Sequence, residues 1–376
     1  MKGIRIGLLR TFLTIVYAAI KLVTRVDERK VVFLGRRMNR LPLDFRLIIE
    51  ELQHRNPEVR VVVYSKLVRG EDMRETLSFV PTLLKSLYHL ATAKVCVLDS
   101  YWPAVSMLTH RRSLVIYQIW HSIGKIKQSG KQALGRTQGR AEHVANGMRM
   151  HEGYDYVVAG AKVWNPQYRA AFGVEDDRLL NIGLPRADYL IREKDVIAER
   201  ITSRYPELKQ KPVLLYVPTF RRGENATGAL KLATAVDLEQ FTLVVKKHES
   251  DTLVLPPQHH LTCPEFTGTE LLTVADYVIT DYSSIALEAA LIDVKTFYFL
   301  YDYEHYLESN GVNIDLDNEV PGCVFRDADS LVGAIESEYP LASLRRYQEK
   351  FLFPDPGHST KDLVDHIFTA GGLCTR

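Results

Sequence analysis

Two parallel-sheet α/β domains facing a cleft are predicted by three features of the chain. Short β-branched runs alternate with helical stretches; a polar break near residues 204–211 divides that alternation into two series; and cationic or hydroxyl-bearing residues stand at the ends of several predicted strands. The 376 residues allow two domains of ordinary size. With 46% apolar and 25% charged residues, the chain can bury real cores and does not read as disordered.

The first element is helical. Ile4, Leu8, Phe12, Val16 and Ile20 recur every four residues, with Leu9, Leu13 and Val23 beside them, and Lys2, Arg5, Arg10, Lys21 and Arg25 flank the stripe. The uncharged run 11–20 would span only ~15 Å as a helix, against ~30 Å of bilayer hydrocarbon. A helix lying in the interface, its basic residues on anionic headgroups, therefore fits better than a membrane crossing. Tyr17-Ala18-Ala19 imitates a signal-peptidase site, but Arg10 and Lys21 bracket the apolar run too tightly for a signal peptide.

Residues 31–34, 59–64, 95–98, 114–119 and 156–159 then read as buried strands, with helices such as 43–54 and 73–91 between them. Tyr205-Pro206 and Lys211-Pro212 punctuate the break. The second series places strands at 213–217, 241–246, 277–280 and 296–300, and two helices follow residue 341. The expected organisation is a membrane-associating helix over 1–25, an acceptor- and membrane-facing domain over 26–204, a nucleotide-donor domain over 205–340, and helices over 341–376 packing back across both.

The net charge of +2 conceals an asymmetry: residues 1–150 carry 26 Lys and Arg against 11 Asp and Glu. A basic half beside an acidic half points to an anionic partner, either nucleic acid or a membrane. The lack of a nucleic-acid-binding motif argues against nucleic acid, leaving an anionic membrane surface or simply solvated faces with no partner. Cys96, Cys263, Cys323 and Cys374 are scattered without metal-ligand spacing, so neither a zinc site nor a disulfide framework is expected. Asp315-Leu316-Asp317 and His259-His260 imitate metal motifs without supporting ligands. No cofactor or metal is expected, and no P-loop, G-x-G-x-x-G or G-x-S-x-G occurs.

Four segments can carry chemistry. The strand over 114–119 runs into Trp120-His121-Ser122-Ile123-Gly124, with Lys125 and Lys127 close behind. An imidazole at a strand's carboxyl end can accept a proton from a hydroxyl nucleophile. The strand over 213–217 delivers Arg221 and Arg222, whose planar forks match phosphate oxygens. The strand over 241–246 delivers Lys246, Lys247 and His248. At Asp281-Tyr282-Ser283-Ser284 a strand ends and a helix begins, so hydroxyls and free N–H groups can form an anion site. Glu288, one turn further, can accept bonds from ribose hydroxyls. The basic stretch 130–151, with Lys131, Arg136, Arg140 and Arg149, lies where it can touch an acceptor.

Together and in this order, these segments resemble the CDP-glycerol glycerophosphotransferase family of teichoic-acid synthesis. The resemblance runs from about Tyr117 to Gly322. It covers Gln118-Ile119-Trp120-His121, Tyr156-Val157-Val158, Ala171-Phe172-Gly173-Val174, Gly183-Leu184-Pro185-Arg186-Ala187-Asp188 and Tyr216-Val217-Pro218-Thr219-Phe220-Arg221. It continues through Val245-Lys246-Lys247-His248, Thr280-Asp281-Tyr282-Ser283-Ser284, Tyr301-Asp302 and Val320-Pro321-Gly322. It implies a GT-B-like fold of two Rossmann-type domains, with His121 on the motif proposed to supply the catalytic base and Arg221, His248, Ser283 and Ser284 on donor-diphosphate positions. Lys246, Asp281 and Glu288 join that donor set, and Lys125, Lys127 and Arg136 are expected to meet the acceptor. The implied substrates are CDP-glycerol and a lipid-linked disaccharide, and the implied place is the cytoplasmic face of the cell membrane, as a peripheral protein.

Two departures stand out. Ser122 replaces the glycine of the family's W-H-G and is expected to tighten that turn. Lys361 stands near the place of an arginine in a G-x-x-x-x-R stretch, a point charge where the family has a fork. No large extra domain precedes the core, which favours a primase-like enzyme over a polymerase. The rival readings are a GT-B glycosyltransferase using a nucleotide sugar, a transferase of ribitol phosphate, and a non-catalytic binding protein.

Overall fold

Helical returns between successive strands leave those strands parallel, and that is the architecture in both halves of the chain. The structure, a computed structural model, describes residues 2–68, 73–221, 227–247, 251, 253–256 and 260–373. The first sheet contains β1 (Asp27–Gly35), β2 (Arg60–Ser65), β3 (Ala93–Leu98), β4 (Val115–Gln118), β5 (Tyr156–Ala159) and β6 (Leu179–Asn181), in the order β2-β1-β3-β4-β5-β6. The second contains β7 (Val213–Tyr216), β8 (Thr242–Val245), β9 (Tyr277–Thr280), β10 (Lys295–Phe299) and β11 (Val324–Phe325), in the order β11-β10-β9-β7-β8. All pairs are parallel, with Val31 opposite both Val61 and Val95 in the first sheet and Leu215 opposite Val244 and Val278 in the second. β6 and β11 are not expected from the sequence. They hold three and two residues, too short for a periodic signal, and lie at sheet edges.

Both orders reverse direction beside the first strand, at β1/β3 and at β7/β9. Such switch points open a crevice outside the carboxyl ends of the strands. The central strands are covered on both faces, so Val31 to Leu34 and Val95 to Leu98 are buried without alternation.

The N-terminal helix α1 (Lys2–Val23) has 22 residues, or ~33 Å, rather than the ten-residue run on which the interfacial reading rests. Counting only the uncharged run stops at Arg10, well inside the helix, whereas Ile6–Val23 is long and apolar enough to cross a membrane by length and composition. It is nonetheless docked. Leu13 and Tyr17 are buried, the Tyr17 hydroxyl meets His110 Nδ1 at 2.8 Å, and Lys21 Nζ donates to the Thr109 carbonyl at 2.8 Å. α1 lies along α3 (Met73–Thr92), and both helices leave large apolar side chains outside: Leu8 (67% exposed), Phe12 and Ile15 on the first, Leu77 (62%), Val80 and Tyr88 on the second.

The last helix, Ser359–Ala370, packs against helix α2 (Leu43–Arg55) and against helix Pro185–Arg192. Asp188 fixes its start, accepting from Ser359 N (3.0 Å), Thr360 N (2.7 Å) and Thr360 Oγ1 (2.7 Å). An acidic acceptor at a helix N-terminus satisfies donors that have no intrahelical partner.

The two sheets are joined by a hydrogen-bonded seam between the segment after β4 and the segment before residue 314. Lys127 and Val312 form an antiparallel bridge, and Asn313 Nδ2 donates to the Lys125 carbonyl (2.8 Å). Gln128 N donates to the Gly311 carbonyl (3.0 Å). Gly311 needs its φ of +89° and its bareness, since a Cβ there would come within 2.4 Å of Gln128 Oε1.

Candidate active site

His121 stands at the end of β4 on a strained turn. The Gln118 side chain accepts from Trp120 N (2.9 Å), and Trp120 adopts φ +57°, a left-handed conformation unusual for a bulky residue. The Trp120 ring stacks on the imidazole at 4.1 Å. His121 Nδ1 lies 3.1 Å from the Asp99 carbonyl at the end of β3. A carbonyl only accepts, so Nδ1 carries the proton and the neutral ring offers its lone pair at Nε2. Burial, followed by the positive charge of Arg37, holds the imidazole pKa well below 6.5. Ser122 leaves the turn undisturbed: it is not among the residues with positive φ, so no glycine is required, and its carbonyl accepts from Tyr168 (2.8 Å).

The carboxyl ends of the second sheet form a buried nest. Asp281, fully buried, accepts from Thr219 N (2.8 Å) and Tyr282 N (2.7 Å) and pairs with Arg221 Nη1 at 3.0 Å. Arg221, whose side chain is 2% exposed, also pairs with Asp302 at 2.8 Å and lies over the rings of Tyr301 and Tyr306. Burial opposes its charge, yet the carboxylates prevail and raise its pKa. Arg221 and Asp281 are expected from the sequence to hold a donor diphosphate; their charges are instead spent on each other and on Asp302. A strand-end arginine looks the same in sequence whether its fork faces a ligand or a carboxylate.

Glu288 is buried too. Its Oε2 accepts from Thr269 Oγ1 (2.6 Å), and its Oε1 lies 3.6 Å from Arg186 Nη1. Arg186 in turn grips Asp44 of α2 through its backbone N (2.9 Å) and Nε (2.9 Å). Asp44, Arg186 and Glu288 therefore form a chain of charges crossing from the first sheet's helices to helix Ile285–Leu291. The expected ribose-accepting oxygens of Glu288 are occupied. Asp44 is not anticipated; in the sequence it is one acid among several charged residues of an amphipathic helix.

The residues expected at the acceptor separate. Lys125 is buried in a cage of rings, with Nζ 4.6 Å from Trp120, 4.3 Å from Phe172 and 5.0 Å from Tyr168, and it donates to Ser129 Oγ (2.8 Å). It supports the Trp120 turn from beneath and is not open to a ligand. Arg136 donates to the Leu307 and Glu308 carbonyls (2.9 and 3.2 Å), covering the last turn of helix Tyr303–Ser309 as part of the seam. Lys127 is partly exposed and within electrostatic reach of Asp281, Arg221 and Arg37.

On the donor side, Lys246 donates to the Cys263 carbonyl (3.1 Å). Ser283 and Ser284 are partly exposed; Ser283 Oγ accepts only a long bond from Ile285 N (3.4 Å), and Ser284 makes no side-chain cap. His248, Arg222, His259 and Cys374 lie outside the described residues. Lys361 is exposed on the last helix, and its carbonyl accepts from Arg55 (3.3 Å). Asp315 caps helix Leu316–Glu319 and Asp317 pairs with Arg326 (2.7 Å). Among the described residues no group of three or more His, Cys, Asp or Glu is arranged to hold a metal ion.

The segments carrying His121 and the serine pair meet. Gly124 packs so closely on Leu287, three residues past Ser284, that a Cβ would come within 2.4 Å of its Cδ1. Arg186 acts electrostatically on His121 and touches Glu288. The segment after β4 and the start of helix Ile285–Leu291 therefore lie side by side, at the carboxyl ends of the two sheets. The family model for CDP-glycerol:poly(glycerophosphate) glycerophosphotransferase matches residues 16–369. The chain belongs to this family.

Its relatives include both polyols. The chain is 28% identical to the teichoic acid ribitol-phosphate primase of Bacillus spizizenii, covering 96% of this chain and 98% of that protein. It is 24% identical to the teichoic acid glycerol-phosphate primase of Bacillus subtilis, covering 76% of each. The wall teichoic acid polymerase TagF superposes with a TM-score of 0.73 over 99% of this chain and 98% of that one at 18% identity, a likeness of fold. The GT-B-like arrangement of two Rossmann-type sheets is thus a family feature. Arg37, Asp44, Asp99 and Arg186 complete the crevice as residues not foreseen as site residues. Only Arg186 carried a signal, as part of the Gly183–Asp188 segment quoted for the resemblance.

Proposed function

We propose that this family member transfers glycerol phosphate from CDP-glycerol to a lipid-linked disaccharide, an undecaprenyl-diphosphate acceptor, in teichoic acid or related surface-polymer synthesis. The acceptor oxygen bonds to the donor's β-phosphorus, the bond from that phosphorus to the bridging oxygen breaks, CMP leaves with the electron pair, and the hydroxyl proton passes to His121 Nε2. Charge spreads over the phosphoryl oxygens in such a transfer, so positioning and electrostatics supply most of the catalysis. The observation that carries this reading is the bond from His121 Nδ1 to the Asp99 carbonyl, which leaves Nε2 free as a base within the field of Arg37, Lys125 and Arg186. Residues 205–340 would hold the nucleotide and residues 26–204 the acceptor.

A second reading, ribitol phosphate from CDP-ribitol, is favoured by the likeness to a ribitol-phosphate primase over nearly the full length of both chains. Incubating the protein and lipid-linked disaccharide with CDP-glycerol, CDP-ribitol or a UDP-sugar, and measuring CMP release and product mass, separates the readings. One CDP-polyol should give CMP and a product heavier by one polyol phosphate. Turnover of the UDP-sugar alone would replace this reading by glycosyl transfer.

The same reading places the protein peripherally on the cytoplasmic face of the membrane. Leu8, Phe12 and Ile15 of α1 and Leu77 and Val80 of α3, two helices in contact, are exposed apolar side chains of the basic half, which suits insertion among anionic headgroups. The triple variant Leu8→Ser, Phe12→Ser, Ile15→Ser should lose flotation with anionic liposomes while keeping the fold, because Leu13 and Tyr17 still anchor the helix. Undiminished flotation would remove α1 as the anchor.

A further inference from the structure

Most cations around the crevice are already spent. Arg186 is bound by Asp44 and Glu288, Arg221 by Asp281 and Asp302, and Lys125 by Ser129 inside its ring cage. Arg37 and Lys127 differ. Neither side chain makes a hydrogen bond or ion pair among the described residues; Arg37 is exposed and Lys127 partly so. Arg37 follows β1 directly at the switch point with β3, two residues beyond Gly35, which lets the Asp99 carboxylate approach to 3.0 Å of where its Cβ would be. Lys127 is held from the other side, its backbone bridged to Val312 in the seam. Arg37 acts electrostatically on both Lys127 and His121, while the carboxylates of Asp99, Asp44 and Glu288 act on Arg37 and that of Asp281 acts on Lys127. Two cations near one base, neither held in an ion pair among the described residues, suit an anion.

We propose that Arg37 and Lys127 form a phosphate-binding pair that grips the transferring phosphoryl group from the His121 side of the crevice. The identity of the donor rests on the polyol-phosphate reading; the anion site does not. An arginine fork fixes two phosphate oxygens while the lysine supplies a point charge from the seam, so the pair spans the transferring group where charge accumulates. Lys127 also gives the site a pH signature. Burial brings its pKa down to about 8 against the opposing pull of Asp281, with Arg221 and Arg37 adding to the lowering. A bound anion favours the ammonium, so binding near pH 8 takes up protons.

The experiment is calorimetric titration of the full chain with inorganic pyrophosphate, on wild type, Arg37→Gln and Lys127→Gln, beside CMP release from the CDP-polyols. Each variant should bind pyrophosphate about 10- to 100-fold more weakly. Proton uptake near pH 8, read from the dependence of binding heat on buffer ionisation, should vanish in Lys127→Gln. Melting temperature without ligand should stay level or rise, because desolvation and neighbouring cations disfavour both charges despite Asp281 beside Lys127 and Asp99, Asp44 and Glu288 beside Arg37; Arg37→Lys should restore part of the affinity. If pyrophosphate binding falls in this pattern while wild type turns over no CDP-polyol, the anion pair stands and the donor assignment fails. Wild-type pyrophosphate affinity in both variants, or a melting temperature lowered in both, would overturn the pair.

Discussion

His121→Ala is expected to lower polyol phosphate transfer by about 100- to 10,000-fold, the range by which a positioned general base accelerates proton transfer. The loss should fall on kcat, with donor affinity little changed, because the imidazole meets the attacking hydroxyl and not the nucleotide. The pH profile gives a second, independent check. Burial depresses the imidazole pKa, the positive charges of Arg37, Lys125 and Arg186 add to that effect, and the Asp99 carbonyl only partly opposes them. A depressed pKa means that the proton leaves at lower pH, so the base form persists under mildly acidic conditions. The acid limb of kcat/KM, which reports the free enzyme, should therefore lie well below pH 6.5, and the rate at pH 6 should stay close to its neutral value. Bound donor would offset the cations and move the kcat limb upward. Near-normal turnover by His121→Ala would exclude the imidazole from the mechanism, and an acid limb at or above about 6.5, the ordinary histidine value, would contradict its environment.

Arg221→Leu should destabilise the protein by about 3–5 kcal/mol, because it strands two buried carboxylates rather than removing a ligand contact. Asp281 is fully buried, and Asp302 shares the guanidinium through Nε and Nη2. The substitution also loses the contacts of the guanidinium with the Tyr301 and Tyr306 rings. Urea unfolding followed by tryptophan fluorescence and circular dichroism should show a lower midpoint for the part of the chain built on the second sheet. A variant with wild-type stability but selectively weakened CDP-polyol binding would return Arg221 to the donor site. Adding Asp281→Asn and Asp302→Asn to the Arg221→Leu variant should recover part of the loss, as the uncompensated charges would be gone.

The strand ends are the most legible part of the chain. Trp120-His121 after β4 and Thr280-Asp281 at the end of β9 stand out because a β-branched run that stops at polar residues marks a carboxyl edge, and carboxyl edges are where α/β sheets bind ligands. Their partners are not legible. Arg221 meets Asp281 and Asp302 across 60 and 81 positions of chain, Arg186 meets Asp44 across 142, and Arg136 covers a helix end 171 residues away. A cation near a strand end reads as a phosphate ligand until a carboxylate or carbonyl is known to occupy it. That is why the contacts that occupy Arg136, Arg221 and Lys125 are invisible in the sequence, and why nothing in it distinguishes the exposed Arg37.

Periodicity along the chain thus settled the parallel α/β class and the two series of strands, because those properties depend on neighbours within one or two turns or strands, and the ordered motifs carried the resemblance to the family. Which charges remain free to act on a substrate was settled by the fold. Ion pairing and desolvation depend on distances of a few ångströms between residues far apart in the chain, and those distances exist only once the two sheets have met.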